Sequence, residues 1–269
     1  MANPFKPAKH KTSTEEALLL IKQARKAGLS VPDEQIRCAE GGEVCGLAPC
    51  HICRKVLQFE AADALYHRYD TSAGMQWITI TPAYGRVELS AWRKFDLEKF
   101  VEMVRRQLRE TLPPGTEVYG AIDVSANTRN NGDHHLQFHV HAFVYPALDK
   151  AAQKRVRKRF KRSRKTISKP VVFHWVPPEE IGDTADYTWK WFYRNRSSME
   201  PVHGADGKLV HRKARKPKMR RAADRVVVHA ILKKLKVTDL LFMVGIKPKS
   251  MADPFDVEIM SATRAHNND

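Results

Sequence analysis

The chain has 269 residues, enough for one large domain with additions or two modest ones, and its 42% apolar content is that of a chain with a packed core. Its 47 Lys and Arg against 30 Asp and Glu leave a formal charge of +17. Such a surface favours a polyanionic partner, nucleic acid first, because it binds phosphates by releasing condensed counterions. No apolar run approaches the roughly 18 residues of a spanning helix, and the opening Met1-Ala2-Asn3-Pro4-Phe5-Lys6 lacks the apolar stretch of a signal peptide. An intracellular, cytoplasmic protein with no membrane partner is expected.

The first predicted element is a helix over 13–28. Ser13 and Glu16 form a capping-box pattern, Ala17, Leu20, Ile21 and Ala24 share a face, and Gly28 with Pro32 ends it. The four cysteines of the chain follow within sixteen residues: Cys38, Cys45, Cys50 and Cys53. In an intracellular chain such clustering points to metal rather than disulfides. Gly41, Gly42, Gly46 and Pro49 allow the tight turns that a tetrahedral, structural Zn²⁺ site needs, with His51 as a replacement ligand and free or redox-active thiols as the alternative. A helix over about 54–66 completes a helical zinc module at 1–70.

A strand over 76–81 is closed by Pro82, and Asp96 then caps a helix whose Leu97, Phe100, Val101, Val104 and Leu108 form one stripe. Pro113-Pro114-Gly115 stops it. A second strand over 117–125 leads through the turn-forming run 127–133 into 134–145, His-His-Leu-Gln-Phe-His-Val-His-Ala-Phe-Val-Tyr. Aromatic and β-branched residues on both faces mark 134–145 as a buried strand, and alternation sends His135, Gln137, His139 and His141 to one side. Folding the hairpin about Asn130 and Asn131 sets Asp123 roughly opposite His139, about 5 Å away across the pair. Two imidazoles and a carboxylate make an open, three-ligand site for a divalent metal, Mn²⁺ or Mg²⁺, acting on a phosphate. His135 or Gln137 is a candidate further ligand or proton carrier.

A basic helix is predicted over 148–165, ten of the sixteen residues from 154 to 169 being Lys or Arg. Lys154, Arg155, Arg157, Lys158, Arg159, Lys161 and Arg162 are candidate DNA phosphate contacts, with a solvated face or a localisation signal as the plainer reading. After a strand over 171–176, Asp183 or Thr184 caps a helix running to 195, with Tyr187, Lys190, Trp191 and Arg194 on one face. Arg194 joins the phosphate contacts. The order strand, helix, strand, strand, helix, strand predicts an α+β, ferredoxin-like (split βαβ) antiparallel sheet over 71–196, with its first and third strands central. The segment 197–269 is a basic extension with a turn near 203–208, a short helix over 226–235 and an apolar element at 240–244. No Walker A loop occurs, so any helicase would be a separate host protein.

His139-Val140-His141 in an apolar strand, followed by Tyr187-Thr188-Trp189-Lys190, resembles the HUH endonuclease superfamily, in particular its Rep-like rolling-circle initiators with a YxxK motif. The likeness covers about 76–195, with Trp77 to Thr81 at the family's first-strand motif. It implies that His139, His141 and Asp123 hold the metal and that Tyr187 attacks single-stranded DNA, leaving a 5′-phosphotyrosine and a free 3′-hydroxyl. Asp123 stands where the family more often has glutamate, and Tyr193 is not spaced to act as a second nucleophile beside Tyr187. Ionising a phenol at neutral pH costs about 4 kcal/mol, and Lys190, one turn on, is placed to stabilise the phenolate or the phosphoryl charge. The implied partner is single-stranded DNA at an origin or element end, with a hairpin or flanking duplex gripped by the basic segments. Replication initiator, transposase and conjugative relaxase share this chemistry. A hydrolytic nuclease, and a basic, zinc-containing nucleic-acid-binding protein without catalysis, are the other readings.

Overall fold

The structure, a computed structural model, describes residues 10–128, 134–160, 169–190, 199–203, 209–213 and 222–246. It is α+β, built on a six-stranded antiparallel sheet. Three helices come first: α1 (His10–Lys26), α2 (Asp33–Ala39) and α3 (His51–Arg68). Helix α1 begins at His10, so Ser13 lies inside it rather than at its cap. Ala17 and Ile21 of α1 pack with Ala39 of α2, an element too short to show a helical period in sequence.

Strand β1 (Met75–Ile80) and the short β2 (Arg86–Glu88) precede α4 (Leu97–Arg109). Asp96 caps α4 by accepting from the Lys99 N–H at 2.9 Å, and the expected stripe is its buried face. Strands β3 (Glu117–Thr128) and β4 (His134–Tyr145) form the long hairpin, and α5 (Lys150–Arg159), β5 (Val171–Val176) and α6 (Ile181–Thr188) follow. Asp149 caps α5, accepting from Ala152 at 2.6 Å. Helix α6 starts at Ile181, so Asp183 and Thr184 sit within its first turns, and it stops at Thr188 with Trp189 as its C-cap. Strands β6 (Met199–His203) and β7 (Leu209–Lys213) pair separately, and α7 (Ala222–Leu232) leads to β8 (Leu241–Val244).

The strand order is β5-β1-β4-β3-β8, with β2 also on β4. β4 therefore has neighbours along both sides, and ten of its twelve residues are buried. Gly120 lets β3 close onto it, since a Cβ there would collide with the His141 carbonyl. One core cluster runs from Cys38 to Val244, so residues of the C-terminal segment contribute to the sheet and its packing. Phe95 and Phe100 lie on Phe138, which puts α4 on the face of the even-numbered β4 residues. Trp189 lies on Phe143 and Tyr119 of the opposite face, beneath α6. Among the described residues no helix is long and apolar enough to cross a membrane.

His229 of α7 is fully buried, and among the described residues neither ring nitrogen has a hydrogen-bond partner. Burial first, then the charges of Arg54 and Lys233, push its pKa down to about 4. The unfolded chain, with an ordinary histidine near 6.5, binds the extra proton between those two values. Stability is therefore complete above pH 6.5 and falls as pH drops toward 4, by roughly 3 kcal/mol. Urea melts of His229→Leu between pH 7.5 and 4 should show a flattened acid limb with no loss at pH 7.5.

Candidate metal and tyrosine site

Antiparallel register fixes the first group of residues. Asp123 on β3 is the cross-strand partner of His139 on β4, and Thr79 on β1 is the partner of His141 from the other side. All four side chains share one face. Asp123 Oδ2 lies 3.3 Å from His139 Nε2 and 3.8 Å from His141 Nε2, and the two Nε2 atoms are 3.0 Å apart. Adjacent ligands on one cation, each at about 2.1 Å, stand about 3 Å from one another. Asp123, His139 and His141 are thus spaced to hold a single metal ion.

The imidazoles are oriented from behind. His139 Nδ1 is 3.0 Å from the carbonyl of Gln137, which can only accept, so Nδ1 carries the proton and Nε2 keeps its lone pair. His141 Nδ1 meets Thr79 Oγ1 at 3.0 Å, and Trp77 stacks on the same ring at 5.0 Å and 9°. Burial, then the neighbouring His139, push the His141 pKa well below its ordinary value, the neutral form a ligand needs. Burial acts to raise the Asp123 pKa, but the polar contact with His139 outweighs it, with help from the Lys190 ammonium. The carboxyl stays ionised, well below the usual range. The backbone N–H of Val124 fixes its other oxygen at 2.7 Å.

Helix α6 brings Tyr187 to this group. Its ring lies 5.1 Å from that of His141 and 5.8 Å from Trp77, and the residue is 45% exposed. Trp77 Nε1 donates to Thr188 Oγ1 at 2.8 Å, tying the end of α6 to β1. Lys190 is not on the helix, which has ended two residues earlier, yet its ammonium sits 3.0 Å from the centroid of the Tyr187 ring. From the other side Gln58 of α3 donates to the Asp186 carbonyl at 3.0 Å and to its carboxylate at 3.2 Å.

His135, opposite Glu88 and Asn127, stands outside the triad, and the Gln137 amide nitrogen is bonded to the carbonyls of Pro82 and Phe138. Lys154, Arg155, Arg157, Lys158 and Arg159 are exposed on α5, on the face of the sheet away from the triad. Arg159 pairs with Glu110 at 2.6 Å. Lys161, Arg162, Trp191, Tyr193 and Arg194 lie outside the described residues. Sequence reading missed Thr79, Trp77 and Gln58 as supports, because only the pairing of β1 with β4 and the docking of α3 on α6 give them that place.

The second group is the cysteines. Cys53 Sγ is 3.8 Å from that of Cys38 and 3.4 Å from that of Cys45, and Cys50 is 3.6 Å from Cys38. These are far from a disulfide and close to the edge of a sulfur tetrahedron about a metal 2.3 Å from each, about 3.8 Å. The Gly46 N–H donates to Cys53 Sγ at 3.2 Å. Mutual contact lowers the pKa of Cys38 and Cys50 and raises that of Cys45 and Cys53, so the four thiols cannot all ionise unaided. A divalent cation between them removes that conflict. His51 faces Glu16 at 2.9 Å instead of joining the set.

No family model, no curated protein and no solved structure matches the chain. The cysteine cluster makes one metal prediction independent of any activity. Metal analysis should find a tightly held equivalent that Cys53→Ser loses, and thermal melts of that variant, or of wild type after strong chelation, should fall by 10 °C or more, on the order of a lost structural metal.

Proposed function

We propose that the protein is a metal-dependent endonuclease that nicks and rejoins single-stranded DNA through Tyr187, of the HUH type and used to start rolling-circle replication of a plasmid or mobile element. The observation that carries this reading is the meeting of a half-exposed phenol, an ammonium and a buried His-His-Asp group within one cluster. The net charge of +17 supports a nucleic-acid substrate. The strand order, with β1 and β4 central and α4 and α5 on the face away from the triad, supports a ferredoxin-like split βαβ core. Transposase and relaxase remain neighbouring readings of the same chemistry.

On this reading Asp123, His139 and His141 hold Mn²⁺ or Mg²⁺, a Lewis acid for the scissile phosphate, and the four cysteines hold Zn²⁺. Tyr187 Oη attacks phosphorus, the bond to the 3′ oxygen breaks, and that oxygen takes up a proton while the phenol loses one. A 5′-phosphotyrosine and a 3′-hydroxyl result. The Lys190 ammonium stabilises the charge that builds on the phenol oxygen and on phosphorus. Because the phosphodiester is exchanged for a phosphoester to tyrosine rather than hydrolysed, attack by a 3′-hydroxyl reverses the step and joins ends.

A labelled single-strand pool of random sequence, incubated with Mn²⁺ and run on a denaturing gel, tests this. The expected result is a covalent adduct that vanishes in Tyr187→Phe and His141→Ala and forms on the order of a hundredfold more slowly in Lys190→Ala. An adduct that survives Tyr187→Phe overturns the assignment. Cleavage without adduct gives the attack to water, and binding with neither leaves a basic, zinc-containing nucleic-acid-binding protein.

A further inference from the structure

Strand β5 forms one edge of the sheet, and alternation divides its aromatic residues between the two faces. His174, opposite Trp77, projects on the triad side; it is exposed, and its ring lies 5.8 Å from Trp77, which is itself 5.8 Å from Tyr187. Phe173 and Trp175, opposite Ile78 and Gln76, project on the side of α5. Trp175 is 57% exposed, more than any other large apolar side chain among the described residues. An indole left in water on an unpaired edge strand costs burial free energy and invites strand addition, so its retention calls for an occupant.

The indole is held ready. The turn at Gly74, with φ of +85°, passes so close that a Cβ there would stand 3.0 Å from Trp175 Cζ2 and 2.7 Å from the Val176 carbonyl. Next along the strand, the Arg157 guanidinium lies over Phe173 at 5.0 Å and donates to Gln153 at 3.2 Å. Lys154, one turn before it, and Lys158, the residue after it, are exposed on α5. A preset aromatic face flanked by fixed cations is what an unpaired base and its phosphates require.

We propose that the β5 edge is a second single-stranded DNA subsite, in which a base stacks on Trp175 while its phosphates meet Arg157 and the lysines of α5. The strand engaged at Tyr187 passes His174 and turns around the edge of the sheet to reach it. That path rests on the nicking reading; the subsite itself rests on the edge. Because the subsite lies on the far face, it adds affinity only for strands long enough to span both.

Fluorescence anisotropy with oligothymidylates of about 6 and about 25 nucleotides tests the proposal, the shorter being too small to span both faces. Trp175→Ala should weaken the long oligonucleotide ten- to a hundredfold, roughly the worth of one stacked base, and leave the short one unchanged. Trp175→Phe should restore most of the loss. Arg157→Gln should lower the salt dependence for the long probe by about one phosphate contact. Equal effects on both lengths, no effect on either, or an equal loss on blunt duplex of the same length would overturn it. The gel assay for the Tyr187 adduct keeps the two ideas separate. An adduct alongside an unaffected Trp175→Ala sinks the subsite alone, whereas a length-dependent Trp175 effect without any adduct supports the subsite and sinks the nicking reading.

Discussion

Two imidazoles and a carboxylate are confined to one face of strands that the sheet and its helices enclose. Desolvation there opposes charge on every group, and an isolated buried carboxylate would be driven toward its neutral form. Asp123 stays ionised because its contact with His139 and the nearby Lys190 ammonium outweigh that burial, and His141 stays neutral because it is buried beside His139. The result is a compact set of lone pairs aimed at a common point, with each ring clamped at its far nitrogen by Gln137 or Thr79. Hydrophobic packing alone gives no reason to converge three such groups; coordination of a cation does.

The same argument governs the N-terminal cluster with softer ligands. Cys50 is the N-cap of α3 and Cys53 lies in its first turn, so whatever the thiols hold also fixes where that helix begins. The buried Arg54 donates to the carbonyls of Cys50 and Pro49 at 3.1 and 3.3 Å and secures the preceding loop. One turn further on, Gln58 reaches Asp186 beside Tyr187. Helix α3 thus spans from the cysteines to the element that carries the tyrosine. A metal held by those thiols, with no part in the proposed chemistry, would bear on where the phenol sits.

Residues whose placement follows from local periodicity were legible in sequence. The alternation of 134–145 gave β4 with its bounds, the apolar stripe after Asp96 gave α4, and the turn-rich run between two strands gave the pairing of Asp123 with His139. Elements defined by distant contacts were not. The strand β8 is four residues that sheet pairing with β3 turns from an apolar patch into an edge, and β2 is three residues defined by their pairing with β4. The end of α6 was misplaced because nothing in the heptad-like spacing of Tyr187, Lys190 and Trp191 shows that Trp189 must turn inward onto Phe143 and Tyr119. That burial ends the helix and swings Lys190 over the phenol ring.

The two faces of the sheet differ in what they leave open. On one, Phe95, Phe100 and the stripe of α4 close over Phe138, so the backs of β3 and β4 are sealed. On the other, among the described residues α6 and Trp189 cover part of the sheet, and the phenol of Tyr187 stays half in water while the ligand residues beneath it are buried. Among the described residues, half-exposed Tyr187 and partly buried Trp77 border those atoms. Past Trp77 the next side chain on that face is the exposed His174, on the outermost strand of the sheet among the described residues. A chain of phosphates following this line runs off the edge toward the cations of α5, so the lateral order of the strands, with β5 outermost beside β1, couples the route to the site with the distribution of charge.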